Sequence, residues 1–238
     1  MIEIINENLG NARLMILSCI GENHINIGIE NQDSYSYKTI DSQNYAFAVA
    51  DGVGSCECAK KGSETACEVI CDLLDKIDGK SIDNIKTMIF SEWKNRIGCN
   101  WNNYCTTLNF CFVLKNSIIV GKVGDGTALI KIGDDYQILS NESEFYTNET
   151  FALAEMLPKA AFSIQKIEYS FNKPFSVLLM TDGISKEIEN DKIKSFADYI
   201  FSNIENKNFV VELEDWVTGL NIKNGDDKTI LMCSWEKK

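Results

Sequence analysis

Three apolar runs in this sequence stop at the same kind of corner. FAVA leads into Asp51-Gly52, IIVGKV into Gly124-Asp125-Gly126, and VLLMT into Asp182-Gly183, while a further acidic pair, Asp226-Asp227, directly precedes the run TILMC. A buried strand delivers its terminal residue to a fixed place, and a following glycine lets the backbone turn and approach a ligand closely. Any one Asp-Gly taken alone is more simply a turn. Several at strand ends can converge, and converging carboxylates raise one another's pKa, so a true cluster calls for cations. With oxygen ligands only, the ions expected are Mg²⁺ or Mn²⁺ rather than Zn²⁺.

The rest of the chain supplies elements to hold such a cluster. Residues 13–21 and 44–50 read as strands, and apolar residues at Ala66, Val69, Ile70, Leu73, Leu74 and Ile77 predict a helix over 62–77. A second helix is expected over 82–97. Closely spaced strands then follow over 104–114, 117–123, 127–132 and 136–139, which implies an antiparallel meander. Beyond a looser region at 141–150, strands are expected at 164–171 and 175–180, helices at 191–204 and 210–220, and a last strand at 229–234. Helices inserted between groups of antiparallel strands fit an α+β layered architecture with sheets inside and helices outside. Nothing in the composition marks a linker or repeat, so residues 1–238 are expected to form a single domain.

Charge and cysteine usage exclude several classes. The formal net charge of −12 repels a nucleic-acid backbone or an anionic membrane surface, so neither is expected as a partner. The opening stretch has no basic, apolar leader and no run is long enough to span a bilayer, so the expectation is a cytoplasmic protein. The nine cysteines form no CxxC units and face a single histidine, which argues against a zinc site and for small buried thiols.

Several motifs now stand in order: Asn31-Gln32-Asp33, FAVADGVGS at 47–55, GSETA at 62–66, CTTL at 105–108, VGDGTALI at 123–130, LLMTDGIS at 178–185 and DDKTILM at 226–232. This series resembles that of the PP2C (PPM) family of metal-dependent serine/threonine protein phosphatases, over nearly the whole chain. The form GENHINIGIENQD upstream looks closest to a bacterial branch. The resemblance implies a four-layer α-β-β-α sandwich with central antiparallel sheets and two metal ions at one end, Mn²⁺ or Mg²⁺. Matched motif by motif, Asp51 would bridge both ions with the Gly52 carbonyl on one of them, and Asp182 and Asp226 would bind the other. Asp33 would orient metal-bound water, and Asp125 with Asp182 would hold a weaker third ion. The implied chemistry is in-line attack on phosphorus by a water bridging the ions.

The sequence also departs from that pattern. Many members place a phosphate-gripping arginine five residues before the first aspartate; here Gly28 stands there, and the two arginines, Arg13 and Arg96, match no such position. Phosphate binding would then rest on the metals, helped by His24 or by a lysine such as Lys38 or Lys60. Val53 stands where eukaryotic members carry a histidine acid, and Gln32 stands where many carry a glutamate ligand. Lys186 falls four residues after Asp182, where some relatives have a further aspartate for the third ion. The expectation is a phosphatase acting on phosphoserine and phosphothreonine in proteins, opposing a serine/threonine kinase. The alternative is a pseudophosphatase or regulatory binding module that keeps the fold. A phosphohydrolase of the haloacid dehalogenase type would need an early Asp-x-Asp, which is missing.

Overall fold

The structure is a computed structural model that describes residues 2–140, 151–158, 161–170, 173–221 and 224–235. The expected looser region at 141–150 and the last residue of the strand expected at 164–171 lie outside these. In chain order the elements are β1 (Ile2–Leu9), β2 (Ala12–Cys19), α1 (Glu22–Ile27), β3 (Asp33–Asp41), β4 (Asn44–Asp51), α2 (Ala59–Leu73) and α3 (Ile82–Ile97). A short 3-10 turn at Trp101–Tyr104 leads to β5 (Leu108–Val113), β6 (Ser117–Val123), β7 (Thr127–Ile132), β8 (Asp135–Leu139) and β9 (Ser163–Glu168). The chain closes with β10 (Phe175–Met180), α4 (Asp182–Ser185), α5 (Ile193–Asn203), α6 (Phe209–Asn221) and β11 (Lys228–Trp235).

The strands form two antiparallel sheets, ordered β1-β2-β11-β10-β7-β8 and β3-β4-β5-β6-β9. Side chains on a strand alternate between faces, and β4 shows what that does here. Tyr45, Phe47 and Val49 point into the layer between the sheets, where they meet Leu14, Ile16, Val177, Leu179 and Leu231. Ala46, Ala48 and Ala50 face the other way, against Ala66, Val69, Ile70 and Trp93 of α2 and α3. On the opposite side, Met15, Leu17, Leu178 and Met180 pack against Ile193, Ala197, Ile200, Leu213 and Val217 of α5 and α6. The order of layers is therefore helix, sheet, sheet, helix, as the sequence leads one to expect.

Local chemistry sets the helix ends. Ser81 caps α3 by accepting a hydrogen bond from the Asn84 N–H at 3.3 Å, and Trp93 Nε1 donates to the Gly62 carbonyl at 3.2 Å, tying α3 to α2. The helix expected over 62–77 begins three residues earlier, at Ala59, because residues 59–61 complete its first turn against β3. The strand expected over 104–114 starts only at Leu108, since Trp101–Tyr104 form the 3-10 turn. Gly21, expected to end a strand, instead caps the start of α1.

Two strands, β1 and β3, and two short helices, α1 and α4, escape sequence reasoning. In β3 the residues facing α2 are Ser34 and Ser36, bonded to Ser63 Oγ and Cys71 Sγ rather than buried as apolar groups. The outer half of β1 is a polar edge, Asn6-Glu7-Asn8, paired on one side only. Neither gives an apolar run. All nine cysteines are free thiols, and five of them, Cys19, Cys67, Cys71, Cys111 and Cys233, are buried.

Candidate metal centre

The register of the sheets brings the strand-end carboxylates together. In the antiparallel pairing of β3 with β4, Asp33, the first residue of β3, lies directly opposite Asp51, the last residue of β4. Asp182 follows β10 as the first residue of α4, and Asp125 stands in the turn between β6 and β7. One carboxylate oxygen from each of Asp51, Asp125 and Asp182 lies within 4.8 Å of the other two. Asp226, in the turn before β11, stands outside that trio but is near enough to repel Asp51 and Asp182.

Backbone and hydroxyl contacts fix each group. The Asp51 N–H donates to Thr107 Oγ1 at 3.0 Å, and its carbonyl accepts from the Thr107 N–H and the Thr106 hydroxyl at 2.8 and 2.9 Å. Gly52 runs so close to the start of α2 that a Cβ there would stand 2.6 Å from the Ala59 carbonyl oxygen. The Thr181 hydroxyl donates to Asp33 Oδ2 at 2.8 Å and accepts from the Thr229 N–H at 2.9 Å. Asp226 is held by its own turn: its N–H donates to Asn224 Oδ1, and the buried Lys228 ammonium donates to the carbonyls of Asn224 and Asp226, both at 2.6 Å.

These groups repel one another strongly. Burial, followed by repulsion from Asp227 and Asp182, pushes the Asp33 carboxyl up to about 8, against the lowering effect of the Thr181 and Thr229 hydroxyls. Burial and the neighbouring Asp33, Asp182, Asp226 and Asp125 raise Asp51 well above the ordinary carboxylate range. Asp182 is raised by burial and by Asp125, with Lys186 working in the opposite direction.

The donor set fits divalent cations. Asp33 Oδ1, Asp182 Oδ1 and Gln32 Oε1 are buried acceptors with no hydrogen-bond partner. An unpartnered buried acceptor costs about 1–3 kcal/mol, and an ion is what such oxygens lack. All the donors are hard oxygens, which favours Mg²⁺ or Mn²⁺.

The side chains expected to assist phosphate binding have partners of their own. His24, in α1, bonds through Nδ1 to Asp227 Oδ2 at 2.8 Å. Lys60 Nζ donates to the Asp33 carbonyl and to Ser34 Oγ, at 2.8 and 3.1 Å, whereas Lys38 pairs with Asp72 at 3.7 Å. Gly28 caps α1 with a left-handed backbone, φ +70°, a conformation that a side chain such as arginine resists. Arg96 is bonded to Asp72 and Glu92, and Arg13 to Asn6 and Asn8. The sequence shows Asp227 in the acidic pair and Thr181 at the end of its run, but gives neither a role; the structure makes both hydrogen-bonding supports of the site.

The comparisons with known proteins agree with this fold. A family profile described as Protein phosphatase 2C matches residues 20–218. No curated protein sequence matches the chain. Among solved structures, the serine/threonine phosphatase Stp1 from Staphylococcus aureus superposes with a TM-score of 0.64 at 13% identity, covering 99% of this chain and all of that one. The S. agalactiae serine/threonine phosphatase gives 0.65 at 16% identity, over 94% of this chain and 100% of its own. The catalytic domain of the serine threonine protein phosphatase PstP, solved with two manganese ions, gives 0.61 at 15% identity, over 94% and 99%. At such identities the superpositions speak for the fold, and the profile speaks for descent: this chain belongs to the protein phosphatase 2C family of protein phosphatases.

Proposed function

We propose that this phosphatase hydrolyses phosphoserine and phosphothreonine in protein substrates, with Mn²⁺ or Mg²⁺ held by Asp51, the Gly52 carbonyl, Asp182 and Asp226, and Asp125 beside them. The observation that carries this reading is the convergence of Asp51, Asp125 and Asp182 within 4.8 Å, next to buried oxygens of Asp33 and Asp182 that have no partner. Such ions would supply Lewis acidity that lowers the pKa of bound water and offsets charge on phosphoryl oxygens.

The chain's own residues do the positioning. Asp33, aligned by the Thr181 hydroxyl, offers its buried Oδ1 as an acceptor for a proton of the attacking water. Gln32 Oε1 is a further buried acceptor without a partner. His24 commits Nδ1 to Asp227, which leaves Nε2 as the ring atom that meets a phosphoryl oxygen. In this reading residues 1–238 work as one domain in the cytoplasm, on proteins phosphorylated by a serine/threonine kinase. Among the described residues no helix is long and apolar enough to cross a membrane.

Hydrolysis of a phosphothreonine peptide with Mn²⁺, Mg²⁺ or EDTA, in the wild type and in Asp182→Ala, tests this. Turnover that needs Mn²⁺ or Mg²⁺ and disappears in the variant is the expected result, and turnover surviving both EDTA and the substitution would sink the two-metal account. One observation favours a second reading, a non-catalytic binding module: both arginines of the chain are bonded elsewhere. Absence of turnover on any phosphopeptide, with Mn²⁺ still bound, would shift the conclusion to that module.

A further inference from the structure

A cation of the protein's own already sits at the acidic end. Lys186 Nζ lies 3.0 Å from Asp125 Oδ2 and 2.5 Å from Asp182 Oδ2. The helix geometry puts it there: α4 begins at Asp182, and the Lys186 N–H donates to the Asp182 carbonyl at 3.0 Å, so the two side chains lie one turn apart on one face. The lysine reaches in from solvent, with its side chain 55% exposed, while the two carboxylates it meets are 15% and 8% exposed.

The contacts divide the Asp182 carboxylate. Oδ2 is taken by the ammonium, whereas Oδ1 is buried and unpartnered. One oxygen is thus committed to a tethered cation and the other is left for a diffusible one. Three other lysines near this end, Lys60, Lys122 and Lys228, direct their ammonium groups to backbone carbonyls.

We infer that Lys186 is a built-in counter-ion occupying the cation position between Asp125 and Asp182, so that this protein takes two divalent ions there and excludes a third. The inference rests on the reading of Asp51, Asp182 and Asp226 as metal holders. Its physical basis is charge and space. A divalent ion shared by Asp125 Oδ2 and Asp182 Oδ2 would need the same oxygens that the ammonium bonds, and would meet a like charge at contact distance. Because the lysine is tethered, its local concentration does not fall with the metal concentration in solution.

Calorimetric titration of EDTA-stripped protein with MnCl₂, with bound Mn²⁺ counted in parallel by electron paramagnetic resonance, reads the inference directly. Wild type and Lys186→Arg are expected to bind the same number of Mn²⁺ ions. Lys186→Met and Lys186→Asp are expected to bind one more per chain, and to show a larger Mn²⁺-induced rise in Tm. A third ion in wild type at moderate Mn²⁺ would overturn the inference without any variant, as would unchanged stoichiometry in both Lys186→Met and Lys186→Asp. Asp182→Asn separates this from the wider reading. If it binds Mn²⁺ as wild type does, the metal reading fails and the inference falls with it. If it loses Mn²⁺ while the Lys186 variants gain none, only the lysine's role falls.

Discussion

His24 Nδ1 and the carboxylate of Asp227 are bonded at 2.8 Å, and the same carboxylate accepts the N–H groups of Gly21 at 2.7 Å and Gln32 at 2.6 Å. Asp227 is 1% exposed. A single buried side chain immediately before β11 therefore holds the segment that carries α1 and leads to Asp33.

Removing that carboxylate should loosen the whole corner. Asp227→Ala leaves two buried N–H groups without acceptors, at about 1–3 kcal/mol each, so a stability loss of about 2–5 kcal/mol is expected. Asp227 also repels Asp33, and that relief would mask part of the loss when Asp33 is ionised. The clean measurement is urea unfolding at pH 5, where Asp33 is protonated. Asp227→Asn, which keeps one acceptor oxygen, should lose about half as much; a loss under about 1 kcal/mol for Asp227→Ala would rule out the stapling role.

Gly52→Ala should damage stability and metal binding together. The new Cβ would stand 2.6 Å from the Ala59 carbonyl oxygen, so the end of β4 and the start of α2 would have to separate. Overpacking of this kind costs about 1–3 kcal/mol, and the displaced backbone is the one that carries Asp51. A drop in urea midpoint together with a weaker Mn²⁺ titration is the expected pair of results. Wild-type Mn²⁺ affinity in a destabilised variant would show that the close approach matters for packing alone.

How much of this was legible in the sequence depends on where each partner comes from. Strands buried on both faces, such as β10 with FSVLLM, announce themselves as unbroken apolar runs, and their terminal aspartates could be read off directly. The same holds for α2, whose spacing matches its buried face. By contrast, β3 hides because its inward residues are serines satisfied by hydrogen bonds. The role of Asp227 hides because its partners lie about two hundred positions earlier in the chain. Lys186 was visible as a departure at the fourth residue after Asp182, but only coordinates show its ammonium between two carboxylates.

Thr181 gives a test of the support beneath Asp33. Its hydroxyl donates to Asp33 Oδ2 and accepts from the Thr229 N–H. Thr181→Val keeps the shape but leaves the Thr229 N–H unpaired and Asp33 with one hydroxyl donor fewer, so about 1–3 kcal/mol of stability should be lost. Because this hydroxyl lowers the Asp33 pKa, the variant should also hydrolyse phosphopeptide more slowly near neutrality. Thr181→Ser, which restores the hydroxyl, should recover most of both; a valine variant with wild-type turnover would remove Asp33 alignment from the account.

The metal-free protein should become less stable as pH rises, the reverse of what paired carboxylates usually give. Asp33 is raised from 3.8 to about 8, by burial first and then by its acidic neighbours, and Asp51 and Asp182 are raised as well. Between the unfolded and folded pKa values the native state binds more protons than the unfolded chain, so stability falls with increasing pH. For Asp33 the contribution is fully present below about pH 4 and is lost as pH climbs through about 8. In the proposed reading Mn²⁺ would replace those protons as the neutralising charge, and binding to the native state would add stability by mass action. Thermal unfolding in EDTA from pH 5 to pH 8.5 should thus show a declining Tm, and saturating Mn²⁺ should flatten or reverse the slope. In Asp51→Asn the decline in EDTA should be shallower, since one source of repulsion is gone, and the Mn²⁺-induced rise in Tm should largely vanish. A Tm in EDTA that increased steadily up to pH 8.5 would mean that these carboxylates are ionised and compensated without metal.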